Sequence, residues 1–171
     1  MTLTSLNARE NVPKSHPRIE LRGKLDTLNA QIIFLQSDSH SAEYISDLEE
    51  LRGVVNQIQK CESGEKLFAG VLTLWGMNED EIHTRSHNPA KYYGKGHILP
   101  HCDMGRESAG LNLLRTLVRE VELCAIHAFG HEDTLRICHI LNRLSSALYI
   151  LTYKYLPEGY SRVMNFHQER K

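Results

Sequence analysis

The chain has 171 residues, 41% of them hydrophobic and 24% charged, with 20 basic and 21 acidic side chains. That length suits one domain with a sizeable core and is short for two. The near-zero net charge excludes a general nucleic-acid or membrane-surface binder, so any anion site must be local.

Residues 1–17 are polar, carry Pro13 and Pro17 and lack apolar periodicity, which predicts an unpacked N-terminal arm. The stretch has no apolar signal-peptide core, and no run in the chain approaches the ~20 apolar residues of a membrane span. Cys61, Cys102, Cys124 and Cys138 form no CxxC pair and no secreted-domain spacing. Free thiols in a soluble, cytoplasmic protein are the expectation.

From Arg18 to Gln36 the apolar residues Ile19, Leu21, Leu25, Leu28, Ile32 and Leu35 recur at helical spacing, and Pro17 stands near the start. Arg22, Asp26 and Asn29 share another face of this helix. A second helix is predicted from Ser41, a plausible cap, to Lys60, and a shorter one over Lys66–Trp75. Met77 to Gly105 reads as a polar segment broken by Asn88-Pro89, Gly94, Gly96 and Pro100, too long for an idle connector. Helical spacing resumes over Arg106–Phe129, before Gly130, and again over Glu132–Tyr155, before Pro157-Glu158-Gly159. The class is all-α, a bundle over 18–157 with a tail at 158–171.

Arg115, Arg119 and Glu122 stand at i, i+4 and i+7 on one helix face. Two stacked guanidiniums can clamp phosphate, and the same spacing fits a solvated, salt-bridged face. Asn142, Ser145 and Ser146 interrupt an apolar helix and need partners, which a nucleotide, another helix or a second subunit could supply. His83, His87, His97, His101, Cys102 and Asp103 make 77–105 rich in potential ligands, but Pro100 breaks the helical presentation of His97 and His101. His127 and His131 flank a helix end, where the dipole favours imidazole. No Glu-x-x-His pair, Walker loop, GxGxxG or nucleophile elbow occurs.

Four blocks, HPRIELRGKLDTLNAQ at 16–31, SHNPAKYYGKGHILPHCDMG at 86–105, LNLLRTLVREVEL at 111–123 and LNRLSSALYIL at 141–151, resemble the ethanolamine-utilisation branch of the ATP:cob(I)alamin adenosyltransferases. The resemblance covers about Lys14 to Tyr155. The propanediol-utilisation type shares a looser version of the same pattern. It implies a five-helix bundle assembled as a homotrimer, with ATP, Mg²⁺ and the corrinoid in clefts between subunits. Asp26 would pair with Arg115 across the boundary, Arg119 would contact the ATP phosphates, and Asn142 would hold the nucleotide. Arg22, Glu122 and Ser146 lie on the same faces and join the expected binding set. Lys14 and Arg18 stand where the propanediol type has its phosphate-binding segment. His97 replaces the aromatic residue that precedes Leu-Pro in that type, so Ile98, Leu99 or a residue elsewhere must shield the corrin face, and His97 and Leu99 join the expected binding set. Nothing matches the His/Cys motif usual in the ethanolamine branch, and no transition metal is expected. The implied product would serve an ethanolamine ammonia-lyase, within a bacterial microcompartment in some settings. A non-catalytic corrinoid carrier of the same fold is the alternative.

Overall fold

Pro17 opens the first long helix because its missing N–H is one that a helix start leaves unbonded anyway, while the His16 side chain accepts from Arg18 N–H. In the computed structural model, which describes residues 2–7, 10–130 and 132–164, this helix, α1, spans Pro17–Asp38. The second, α2 (Ala42–Gly64), is capped by Ser41 Oγ on Tyr44 N–H and ends at Glu65 in the left-handed region. α5 (Arg106–Phe129) and α6 (Ile137–Lys154) are the other long helices. Two short ones, α3 (Glu79–His87) and α4 (Pro89–Tyr93), lie between. The all-α class therefore holds.

The long helices form a four-membered ring in which α1 packs on α2 and α5, and α6 on α5 and α2. Leu21, Leu25, Leu28 and Ile32 of α1 are fully buried against Leu48 and Leu51 of α2, Leu114 and Val118 of α5, and Leu141 and Leu144 of α6. Gly110 lets α5 approach closely, since a Cβ there would stand 2.8 Å from Tyr44 Oη and 3.0 Å from Leu35 Cδ2. No described helix is long and apolar enough to cross a membrane.

Four expectations change. The stretch 1–17 is not an unpacked arm: β1 (Leu3–Asn7) and β2 (Glu10–Pro13) form an antiparallel hairpin whose Leu6 and Val12 are buried. Lys66–Trp75 is not a helix. Gly70, Trp75 and Gly76 take positive φ, and the segment bonds across the fold, Phe68 N–H to Leu135 O and Leu72 N–H to Glu79 Oε1. Its end pairs in a small hairpin of β3 (Thr73–Leu74) with β4 (Met77–Asn78). The polar segment after it contains α3, started by a reciprocal Asn78/Glu81 capping box. Finally, α6 begins at Ile137 rather than near Glu132, because Arg136 adopts a left-handed conformation at its start. Beyond α6 the chain returns: β5 (His97–Ile98) pairs with β6 (Val163–Met164), and Tyr160 is buried. Residues 165–171 of the expected tail lie outside the described residues.

Glu79 ties these connections together by accepting from Leu72 N–H at 2.8 Å, Arg136 Nη2 at 2.9 Å and pairing with His139 Nε2 at 2.7 Å. Burial pushes its carboxyl up, yet the Leu72 amide, His139 and Arg136 together hold it below the ordinary glutamate value. A carboxylate depressed on folding stabilises the fold above its unfolded pKa, and that contribution is lost as pH falls through the folded value. Glu79→Gln is expected to be less stable than the parent at neutral pH and to lose less on acidification to about pH 3. Urea midpoints at the two pH values check this; parallel losses in both proteins would refute it.

Candidate active site

Arg115 and Arg119 project from α5 one turn apart, into a groove closed on its other side by α6 and by the segment around His97. Ser86, His87, His97, Arg115, Arg119, Ser145, Ser146 and Tyr149 enclose a cleft of ≈ 350 Å³. A smaller space of ≈ 190 Å³ adjoins it, sharing His97, Arg115 and Tyr149 and adding Ile98, Pro100, Met104, Asn112 and Thr152. Thus α5 and α6 supply the charged and hydroxyl groups, and the segment between α3 and α5 supplies a partly apolar wall.

The electrostatics favour an anion. Arg115 is half-buried, and its Nε and Nη2 donate to Asn112 Oδ1 at 3.2 and 3.1 Å, not to a carboxylate. Burial first, and then the charge of Arg119, lower its pKa from the ordinary arginine value. Arg119 is exposed and makes no hydrogen bond or ion pair with any described residue. Two like charges one turn apart without an acid between them are a cost that an anion would relieve. Farther along the same helices, Asn142 Nδ2 donates to Glu122 Oε1 at 3.0 Å. Ser146 is partly buried in the cleft wall, and Ser145 Oγ bonds back to Asn142 O.

A second cleft, of ≈ 400 Å³, lies between α1 and α2, lined by Arg22, Leu25, Asp26, Asn56, Gln59, Lys60, Glu62 and Ser63. Asp26 is exposed there and accepts from Gln59 Nε2 at 2.8 Å. Asp26 thus faces α2 while Arg115 faces α6, and the two do not meet within the chain. Arg18 and Arg22 are already engaged: Arg18 Nε donates to Glu62 Oε1 at 2.7 Å, Arg22 Nε to Glu62 Oε2 at 2.6 Å, and Arg18 Nη1 to Glu65 Oε1 at 2.7 Å. The Lys14 side chain is exposed near the hairpin. Leu99 is 44% exposed, its backbone bonded to Arg162 O and to Tyr160 Oη.

Sequence reasoning did not find Glu62, the buried acid between the two arginines, nor Tyr149 beside His97. Tyr149 and Tyr153 stand at i and i+4 in the last helix, a spacing that signalled a shared face. Glu62 gave no signal, because its partners lie 40 and 44 positions away. Of the histidine-rich segment, the ligand atoms of His101, Cys102 and Asp103 lie within 4.8 Å of one another on the surface. They already serve each other: His101 Nδ1 accepts Asp103 N–H, and Asp103 pairs with Arg162. His131, expected near the end of α5, lies outside the described residues.

A helical bundle with a guanidinium-lined groove between two of its long helices is chemically suited to an anionic ligand. The chain belongs to the cobalamin adenosyltransferase family, whose profile matches residues 2–155. Among curated relatives, it is 37% identical over 154 residues to the corrinoid adenosyltransferase EutT of Salmonella typhimurium, covering 88% of this chain and 57% of that one. EutT of Escherichia coli K12 is 36% identical over 155 residues, with the same coverage. The chain thus spans little more than half the length of these relatives. Its fold is similar to that of a variant PduO-type ATP:corrinoid adenosyltransferase from Lactobacillus reuteri, solved with cobalamin and ATP. The two share 19% identity, cover 91% of each other and superpose with a TM-score of 0.59.

Proposed function

We propose that the chain transfers the 5′-deoxyadenosyl group of ATP to cob(I)alamin, yielding adenosylcobalamin and triphosphate. The observation that carries this reading is the Arg115–Arg119 pair in the α5/α6 cleft, which no acid of the same chain meets among the described residues and in which Arg119 is left to face phosphate. In the reaction, the cobalt(I) electron pair forms the bond to C5′, and the C5′–O pair leaves with triphosphate. The protein needs no nucleophile. Its work is to place the reactants and to stabilise the negative charge that grows on the leaving phosphates, which fixed guanidiniums do without reorganising. Arg119 supplies that charge, Arg115 orients the cleft, and Ser146 and Asn142 offer hydrogen bonds to the nucleotide. The wall of Ile98, Pro100 and Met104 is apolar enough to shield a corrin face.

ATP would arrive with Mg²⁺, which uses few protein carboxylates alongside the phosphates. Glu122, one turn from Arg119 and with only its Oε1 engaged by Asn142, is the carboxylate suited to hold it. The likeness to EutT supports a role in ethanolamine utilisation, with adenosylcobalamin supplied to an ethanolamine ammonia-lyase in the cytoplasm or a microcompartment. Spectral conversion of cob(I)alamin with ATP tests the activity. Tight corrinoid binding without conversion would mark a carrier.

Asp26 and Arg115 stand in different clefts of one chain, which supports a homotrimer in which each completes its neighbour's site. An uncompensated charge in a desolvated interface costs about 3–5 kcal/mol, and a restored pair much less. Asp26→Arg and Arg115→Asp are each expected to weaken assembly, and the double swap to recover it. Sedimentation of the four proteins decides; trimeric single variants with no coupling between the sites would refute the pairing.

A further inference from the structure

α3 ends on the cleft wall at His87, one turn after His83, and the two rings lie 4.3 Å apart at 52°. Their partners set opposite tautomers. Arg143 Nη1 donates to His83 Nδ1 at 2.8 Å, and a guanidinium has no lone pair to offer, so that nitrogen carries no proton. Burial first, and then the charges of Arg143 and His87, lower the His83 pKa from the ordinary imidazole value, which keeps this ring neutral. At His87 the order is reversed: Nδ1 lies 2.9 Å from the His83 carbonyl oxygen, which can only accept. His87 Nδ1 therefore carries a proton. Ser86 Oγ stands 3.3 Å from the same nitrogen but gives its own proton to that carbonyl at 2.9 Å. The partial negative charge at a helix C-terminus favours the same N–H. His87 Nε2 is left with no hydrogen bond or ion pair to any described residue, on a ring exposed at the cleft wall.

We propose that His87 is a nucleotide-binding residue, held by the His83 carbonyl in the tautomer protonated at Nδ1, and that its Nε2 accepts from a ribose hydroxyl of ATP. The bond that one ring nitrogen makes fixes the chemistry of the other. The cleft makes the choice consequential. Arg115 and Arg119, which line it with His87, can only donate, and they suit phosphate. The ribose is joined directly to the phosphate chain, so it is the part of the nucleotide that falls next to those arginines in the same ≈ 350 Å³ cleft. Its hydroxyls are donors, and a neutral imidazole accepts from them without the charge that a carboxylate would bring beside phosphate. Holding the sugar also orients C5′, the carbon under attack. The ligand half of the inference rests on the nucleotide reading of the cleft; the tautomer is a property of the chain alone.

Nitrogen NMR of histidine-labelled protein at about pH 8, above the ordinary imidazole range, reads the tautomer without any ligand. With His87 assigned by its loss in His87→Phe, the expected pattern is Nδ1–H with a bare Nε2. Ser86→Ala, which removes the one neighbour able to donate to Nδ1, should leave that pattern unchanged. An Nε2–H signal in the parent would overturn the proposal. For the ligand, His87→Phe should weaken ATP about fivefold, the effect of one lost hydrogen bond, and leave inorganic triphosphate unchanged. His87→Gln, whose amide oxygen can stand in for Nε2, should recover part of the loss. Of 2′-deoxyATP and 3′-deoxyATP, one should bind the parent about fivefold more weakly than ATP and lose nothing further in His87→Phe. Equal weakening of ATP and triphosphate, or the same loss with both deoxy nucleotides as with ATP, overturns the acceptor role. Failure of the parent to bind either ATP or triphosphate, with the tautomer as expected, overturns the ligand assignment by refuting the nucleotide reading beneath it.

Discussion

Arg119→Ala is expected to lower kcat for adenosyl transfer by about 10²–10³-fold, with little change in thermal stability. The size follows from what one preorganised donor contributes when charge develops on a leaving group, about 2.7–4 kcal/mol of barrier. The selectivity follows from the structure: Arg119 is exposed and bonds to no described residue, so its removal breaks nothing in the fold. Exposed substitutions of this kind shift stability by about 0.5 kcal/mol or less. Arg119→Lys should recover only part of the rate, because an ammonium keeps the charge and loses the forked geometry. Arg115→Ala should cost both rate and stability, since Arg115 is half-buried and bonded to Asn112. Steady-state kinetics beside thermal melts separate the two arginines. A near-parental rate for Arg119→Ala would remove the phosphate clamp from the mechanism.

The difference between these arginines also shows what the chain makes legible. α1, α5 and the body of α6 carry broad apolar stripes at helical spacing, so their existence follows from the residues alone. α3 buries only Ile82 and Ser86, too narrow a stripe to register, although its Asn78/Glu81 cap was written in plain residues. The opposite error arose over Lys66–Trp75. Leu67, Phe68, Val71, Leu72 and Leu74 look like a helix face, but Leu67 and Val71 are 54% and 69% exposed, and the left-handed turns at Gly70, Trp75 and Gly76 prevent a helix. At the site, spacing placed Arg115 and Arg119 together because both belong to one helix. It could not show which arginines lack an acid, because that depends on contacts between distant segments. Arg18 and Arg22 looked equally available in the sequence, and the fold gives both to Glu62.

Glu62→Ala is expected to destabilise the fold by about 3–5 kcal/mol, the loss typical of breaking a buried ion pair from one side. Glu62 is 1% exposed and splits its carboxylate, Oε1 to Arg18 and Oε2 to Arg22, while Arg18 Nη2 also donates to the Glu62 carbonyl. Arg18 is itself only 12% exposed, so without the acid its guanidinium keeps the burial penalty and loses the buried one of its two counter-charges, retaining only the exposed Glu65. Arg22 would retain only its bond to Leu6 O, the contact that holds the N-terminal hairpin against α1. For a chain of this size the loss corresponds to about 6–20 °C in Tm. Replacing all three, Arg18→Met, Arg22→Met and Glu62→Leu, should be much milder, because it removes the charges together with their desolvation cost. The same series tests whether Arg18 meets ATP. If Arg18 acts only through Glu62, the triple variant should keep its KM for ATP; if Arg18 reaches phosphate, KM should rise although the fold survives. A Glu62→Ala melt within a degree or two of the parent would show that solvent already reaches the pair and that both arginines are available to a ligand.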